Sequence, residues 1–332
     1  MLYTLIRSVR PPSNALSRPR VLLVDDHRKI LDNVSAMLSE DFDVVGVATD
    51  GMEALDTARQ VRPDVIVLDV EMPGLDGFQT VRALEQCGLG STPVVFLSLH
   101  QSASIINEAF RSGARGYVLK TRVGRDLMTA LDQALLGRGF LPSLTSLLQV
   151  TRGAGHAMQL HDNLEASVDD VAAFFDLALQ RGDATCVIGT SRFREQLGDR
   201  LRARGWDVGG ASGHKRYLAV DTADALSRFV RDGLPDPGGV AEVIKELERY
   251  RCAVSEGDAP LLTIFGNTAG SLSASGNTRA AIELERHWNR LTADLPFLTV
   301  CGYGSACFHD GVPNLWSDAC VEHGALTHAK DV

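Results

Sequence analysis

Five short apolar runs, each closed by a polar residue and followed by a segment of helical spacing, constrain the fold of residues 20–138. "RVLLVDD" precedes "RKILDNVSAMLSE", "FDVVGVAT" precedes "GMEALDTARQ", and "DVIVLDV" precedes "DGFQTVRALEQ". "PVVFLSL" precedes "SIINEAFRSG", and "ARGYVLK" precedes "VGRDLMTALDQALLG". Strands apolar on both faces suit a parallel sheet covered by helices on either side. Ile30, Val34, Met37 and Leu38 form the apolar stripe of the first helix. The expectation is an α/β domain of (βα)5 type with a five-stranded parallel sheet.

Such sheets hold their ligands beyond the carboxyl ends of the strands. The first run ends on Asp25 and Asp26, the third on Asp69, the fourth on Ser98 and the fifth on Lys120. Carboxylates crowded together repel one another and call for a compensating cation. An all-oxygen donor set suits a hard ion such as Mg²⁺. Metal binding keeps Asp69 ionised and nucleophilic. A metal, a hydroxyl and an ammonium are the parts that hold a transferring phosphoryl group. Taken singly, each residue has a plainer reading, as a turn residue, a helix cap or a solvated charge. Their convergence on one sheet edge favours the shared role.

The series "VDD", "LDVEMPGLDG", "FLS" and "GYVLK" resembles the receiver domain of two-component response regulators across residues 20–138. The resemblance implies a flavodoxin-like fold with Asp69 as phospho-acceptor. It implies Mg²⁺ held by Asp25, Asp26, Asp69 and the backbone carbonyl of Glu71. Ser98 would be the switch hydroxyl, Lys120 the phosphoryl partner and Tyr117 the aromatic ring that moves with Ser98, while Pro73 and Gly77 shape the loop after the acceptor. The implied donor is a sensor histidine kinase or a phosphotransfer protein. The face made by the fourth helix, fifth strand and fifth helix is expected to form a homodimer or to contact the rest of the chain.

Residues 139–155, within "GRGFLPSLTSLLQVTRGAG", read as a linker in which "SLTSLLQV" can form a helical turn or two. Residues 156–330 then alternate again. "VDDVAAFFDLALQRG" is a predicted helix with Val171, Phe174, Phe175, Leu177 and Ala178 as its stripe, and "ATCVIGT" is a strand running into the helix "SRFREQLGDRLRARG". "KRYLAVD", "APLLTIFGN" and "PFLTVCGYG" read as strands, and "TADALSRFVRDG", "GGVAEVIKELERYRC" and "NTRAAIELERHWNRL" as helices. A second α/β domain with a mostly parallel sheet follows. The turn "VIGTSRFREQL" sits where a P-loop would, but with one glycine and no lysine it argues against nucleotide hydrolysis. A helix N-terminus can still bind an anion. Arg192, Arg194, Arg200, Arg202 and Arg204 are interleaved with Glu195 and Asp199, the pattern of an exposed amphipathic helix. With a net charge of −9, this argues against nucleic acid as a partner.

The blocks "HAMQLHDN", "ALQRGDATCVIGT", "RFVRDGLPDP", "IFGNTAGSLSASGNTRAAIELERHWNRL", "PFLTVCGYG" and "CVEHGALTH" resemble the MEDS domain, a methanogen/methylotroph sensory domain also found in a dichloromethane-responsive repressor. The resemblance implies a sensory or output module on a degenerate RecA/KaiC-like fold, and it leaves the ligand open. The candidate site residues here are His156, Cys301 and His323. His156 and His161 open the domain, while Cys301, Cys307, His309, Cys320 and His323 lie close in sequence, where soft ligands can hold zinc. "CGYGSACFH" lacks a usual zinc-ligand spacing, and buried cysteine commonly serves as a small apolar residue. Trp288 reads as core among Ile282, Leu284 and Leu291, and Asp232 and Asp236 as a turn. Gly266, Asn267 and Glu283 fit either a pocket lining or caps and helix surface.

The first 19 residues read as a flexible leader whose apolar part is too short for a secretory signal. No apolar run reaches the roughly 18 residues of a membrane span. Six irregularly spaced cysteines suit reduced thiols in the cytoplasm. The expected protein is a non-enzymatic response regulator, phosphorylated on Asp69 and signalling to a downstream regulatory protein through its second domain. The alternatives are a phosphorylation-gated sensor of a small molecule or nucleotide, and a transcription regulator with an unrecognised DNA-binding surface.

Overall fold

The computed structural model describes residues 18–150, 154–161, 164–208, 215–254, 261–304, 323 and 325–328. The chain divides into two compact units, the division falling between Pro142 and Ser143.

In the first unit, β1 (Arg20–Val24), α1 (Arg28–Leu38), β2 (Asp43–Ala48), α2 (Gly51–Val61), β3 (Val65–Asp69), α3 (Gly77–Gln86), β4 (Val94–Ser98), α4 (Ala103–Arg111), β5 (Gly116–Leu119) and α5 (Val123–Leu135) alternate strictly. A short β6 (Gly139–Leu141) follows, inside the segment expected to be a linker. The parallel sheet runs β2-β1-β3-β4-β5-β6. β3 and β4 are buried along their whole length, as their unbroken apolar runs require. β6 joins β5 through the pair Gly116↔Phe140, with Phe140 fully buried.

Register sets which side chains meet at the carboxyl edge. Val24 pairs with Leu68, Asp69 with Leu97, and Ser98 with Leu119. Asp25, Asp69, Ser98 and Lys120 therefore leave the sheet at neighbouring heights. The loop after β3 is closed by α3, whose N-cap Asp76 forms a capping box with Gln79. Gly77 donates its N–H to the Val70 carbonyl. A Cβ on Gly77 would run into the Asp69 carbonyl oxygen and the Phe96 ring, so only glycine lets the helix start against the end of β3.

The second unit holds α6 (Leu144–Val150), β7 (Gly155–His161), α7 (Leu164–Gln180), β8 (Ala184–Gly189), α8 (Ser191–Ala203), β9 (Tyr217–Asp221), α9 (Thr222–Phe229), β10 (Val230–Arg231), β11 (Leu234–Pro235), α10 (Pro237–Val254), β12 (Leu262–Gly266), α11 (Thr268–Ala274), α12 (Thr278–Thr292), β13 (Phe297–Gly304) and β14 (Ala325–His328). Its parallel sheet runs β14-β7-β13-β12-β8-β9. β10 and β11 form a hairpin about Asp232-Gly233, both with positive φ (52° and 79°), which is the turn read at Asp232. The segment "SLTSLLQV" forms α6, which packs on α7.

Gly77→Ala should lower the unfolding free energy by about 1–3 kcal/mol, the usual range for forcing an atom into a packed site. Urea unfolding of the full chain measures this as a lower midpoint at unchanged slope.

Candidate functional site

The acidic edge of the first sheet is built around one ammonium. Lys120 Nζ lies 2.8 Å from Asp25 Oδ2 and 2.7 Å from Asp69 Oδ2. Asp25 and Asp69 are 2% and 4% exposed, so the pair of carboxylates sits out of water with a single cation between them. Asp69 Oδ1 accepts from the Glu71 N–H at 3.4 Å, and Asp25 Oδ1 from the His27 N–H at 2.9 Å. Asp26 is more exposed and approaches His27 Nδ1 at 2.7 Å. Burial pushes the Asp69 carboxyl above its ordinary value, although Lys120 pulls the other way. The Lys120 ammonium stays above its ordinary value, because its two carboxylates outweigh its own burial.

Asp25, Asp26, His27 and Asp69 bring ligand atoms within 4.8 Å of one another. Two buried carboxylates and a third at the rim exceed the charge of Lys120, so this donor set fits a hard divalent cation. Glu71 also bears on the site through its side chain, with Oε1 2.7 Å from His100 Nε2. Ser98 is buried, and its Oγ accepts from the His100 N–H at 3.0 Å. Tyr117 is fully buried and donates its hydroxyl to the His100 carbonyl at 2.9 Å. The structure thus brings together Asp25, Asp26, Asp69 and Lys120, with Ser98 and Tyr117 tied to the loop after β4. Sequence reasoning missed His27 and His100. His27 directly follows Asp26 and His100 lies two residues after Ser98, so the signal was nearness to a strand end.

Residues 21–132 match the response regulator receiver domain. Over 145 residues the chain is 34% identical to the nitrate/nitrite response regulator protein NarL of Escherichia coli (strain K12), covering 43% of this chain and 67% of that protein. The chain belongs to the response regulators. Residues 155–314 match MEDS, the methanogen/methylotroph, DcmR sensory domain. The protein-glutamate methylesterase/protein-glutamine glutaminase 1 of Methanospirillum hungatei JF-1 is 42% identical over 106 residues, 31% of each chain. Among solved structures, the signal receiver domain of Mycobacterium tuberculosis NarL is 34% identical, with TM-score 0.35, covering 37% of this chain and all of that one. The response regulator domain of Thermotoga maritima CheB is 31% identical, with TM-score 0.34, covering 36% and 97%.

In the MEDS domain, α12 presents Glu285 and Trp288 to the sheet. Trp288 is core and donates its Nε1–H to Thr299. Glu283, two residues before Glu285 and so on the other side of the helix, pairs with Arg279 at the surface. Asn267 receives the Thr222 hydroxyl, and Gly266 lines a small apolar cavity with Ile188, Phe229, Ile264 and Leu284. Glu285 and Cys301 form part of the same wall. His156, Cys301 and His323 come together around Glu285, which the sequence reading did not name. His161 lies at the far end of β7, outside that group. Cys307, His309 and Cys320 lie outside the described residues. On α8, Arg194 pairs with Asp221, Arg200 with Asp169 and Arg202 with Asp199, as an amphipathic surface helix would. No described helix is long and apolar enough to cross a membrane.

The Asp69 carboxyl is raised above 3.8 in the folded state, so the folded chain holds more protons than the unfolded one over that interval. Its contribution to stability is therefore present below the ordinary value and is lost as pH rises through the raised one. Asp69→Asn should melt higher than the native chain at pH 7, and the gap should close below about pH 4. Differential scanning calorimetry across pH measures it.

Proposed function

We propose that the receiver takes a phosphoryl group on Asp69 from a histidine kinase or phosphotransfer protein and reports its state through the MEDS domain to a downstream regulatory protein. The observation that carries the reading is the Lys120 ammonium held between buried Asp25 and Asp69 at the sheet edge. An Asp69 carboxylate oxygen attacks phosphorus, the P–N bond to the donor imidazole breaks, and an acyl phosphate forms. Lys120 stays at hand to neutralise the charge that arrives on the phosphoryl oxygens. Asp25, Asp26, Asp69 and the Glu71 carbonyl would hold Mg²⁺, which supplies further neutralisation of phosphoryl oxygens when bound. The Ser98 hydroxyl turns toward the new phosphoryl group. Its accepted bond from His100 then breaks, and Tyr117, bonded to the same residue, follows.

The methylesterase likeness covers 31% of that protein's length, and no reaction is assigned to the MEDS domain. A second reading, in which that domain binds a small molecule and the receiver gates it, draws on the apolar cavity beside Glu285 and Cys301.

Radiolabelled acetyl phosphate with Mg²⁺ should label the full chain, and Asp69→Asn should reduce the label to background. Undiminished labelling of that variant would sink the acceptor assignment. A binding protein captured from lysate only by the phosphorylated form supports the output reading. A metabolite carried through purification supports the second.

A further inference from the structure

Four side chains far apart in sequence meet inside the MEDS domain. His156 comes from β7, Glu285 from α12, Cys301 from β13, and His323 from just before β14. β13 and β7 pair with Thr299 opposite His156, so Cys301, two residues on, lies on the same face of the sheet as Thr299. β14 pairs with β7 on its other side. His156 Nε2 is 3.1 Å from Cys301 Sγ and 3.3 Å from Glu285 Oε2. Cys301 Sγ is 3.4 Å from Glu285 Oε2, and His323 Nε2 is 3.7 Å from Glu285 Oε1. All four ligand atoms lie within 4.8 Å of one another.

We infer that His156, Glu285, Cys301 and His323 form a binding site for a borderline divalent cation of the Zn²⁺ class, held by two imidazoles, one thiolate and one carboxylate. A tetrahedral ion with bonds of ~2.0–2.3 Å spaces its ligand atoms about 3.3–3.8 Å apart, which the three separations among His156 Nε2, Cys301 Sγ and Glu285 Oε2 approach. Imidazole with thiolate selects such an ion over Mg²⁺ or Ca²⁺. The surroundings orient the donors as a metal centre requires. Asn289 Oδ1, 2.6 Å away, accepts from His156 Nδ1–H, which turns the lone pair of Nε2 toward the cluster. The Tyr303 hydroxyl donates to Glu285 Oε1 at 2.6 Å and fixes the carboxylate plane. Glu285 is 2% exposed, and among the described residues no lysine or arginine pairs with it. With only imidazoles, a thiol and a hydroxyl around it, this buried carboxylate has no permanently charged partner, and a divalent cation would supply one. The site is independent of the Asp69 chemistry and shares no residue with it.

The test is Co²⁺ titration of the purified, chelator-treated full chain, followed by visible and near-ultraviolet absorption. The expected result is one Co²⁺ with intense tetrahedral bands and a thiolate charge-transfer band, displaced by equimolar Zn²⁺. Cys301→Ser should lose the thiolate band. Asn289→Ala should keep the bands and weaken affinity by about 10–100-fold, the usual effect of removing a partner of a ligating histidine. A cation at the all-oxygen receiver edge gives only weak octahedral bands and no thiolate band, and Asp69→Asn leaves the tetrahedral signal unchanged. Absence of tetrahedral bands in the native chain overturns the inference. So does a thiolate band undiminished in Cys301→Ser, which would assign the metal to other cysteines. Should Cys301→Ser fail to fold, Glu285→Gln serves in its place and should weaken or abolish the tetrahedral spectrum; an unchanged affinity there also overturns it.

Discussion

The receiver depends on one ammonium group shared by two buried carboxylates. Lys120 reaches Asp25 and Asp69 from the turn after β5, while the aspartates come from the ends of β1 and β3. A slip of one residue in any of these parallel pairings would turn the side chains to the opposite face. The continuous apolar strands supply the burial that holds register, and register holds the charges together. The charge imbalance that remains is a stored destabilisation, of the kind found where a site is made ready for a ligand.

Much of this was legible because of how parallel sheets bury. β1, β3, β4 and β5 are apolar on both faces, so each appears as an unbroken run whose final polar residue marks the sheet edge. The site residues Asp25, Asp69, Ser98 and Lys120 could be read because they lie where those runs stop. β6 and β14 were missed for the opposite reason. With three and four residues they carry too little pattern, and their place comes from tertiary pairing. β7 was hidden by its polar residues, His156, Gln159 and His161, which a strand of this burial does not usually carry. The Gln159 side chain is fully buried but accepts from Ser167 and donates to Asp170, so the fold satisfies what the pattern made improbable.

The group around Glu285 was illegible for a different reason. His156 and Cys301 are 145 positions apart, and no local spacing announces them. Glu285 sits among Ile282, Leu284 and Trp288 on a helix whose one other acid, Glu283, lies at the surface, so nothing in the pattern hints that Glu285 faces inward. Zinc modules that can be recognised from sequence draw their ligands from short loops. A centre assembled by β-sheet neighbours leaves only scattered histidines and cysteines, and these look like core residues until the sheet is built.

The loop after β4 carries its own consequence. The main chain of His100 is held by its N–H on Ser98 and by its carbonyl on Tyr117, both neutral bonds, and its ring meets Glu71. At ~1 kcal/mol net for each, letting go of both main-chain bonds costs only about 2 kcal/mol. The contact of the His100 ring with Glu71 is then the remaining tie on the loop. The hold on this loop thus rests on weak bonds to a single residue, few enough for a local change at the sheet edge to undo.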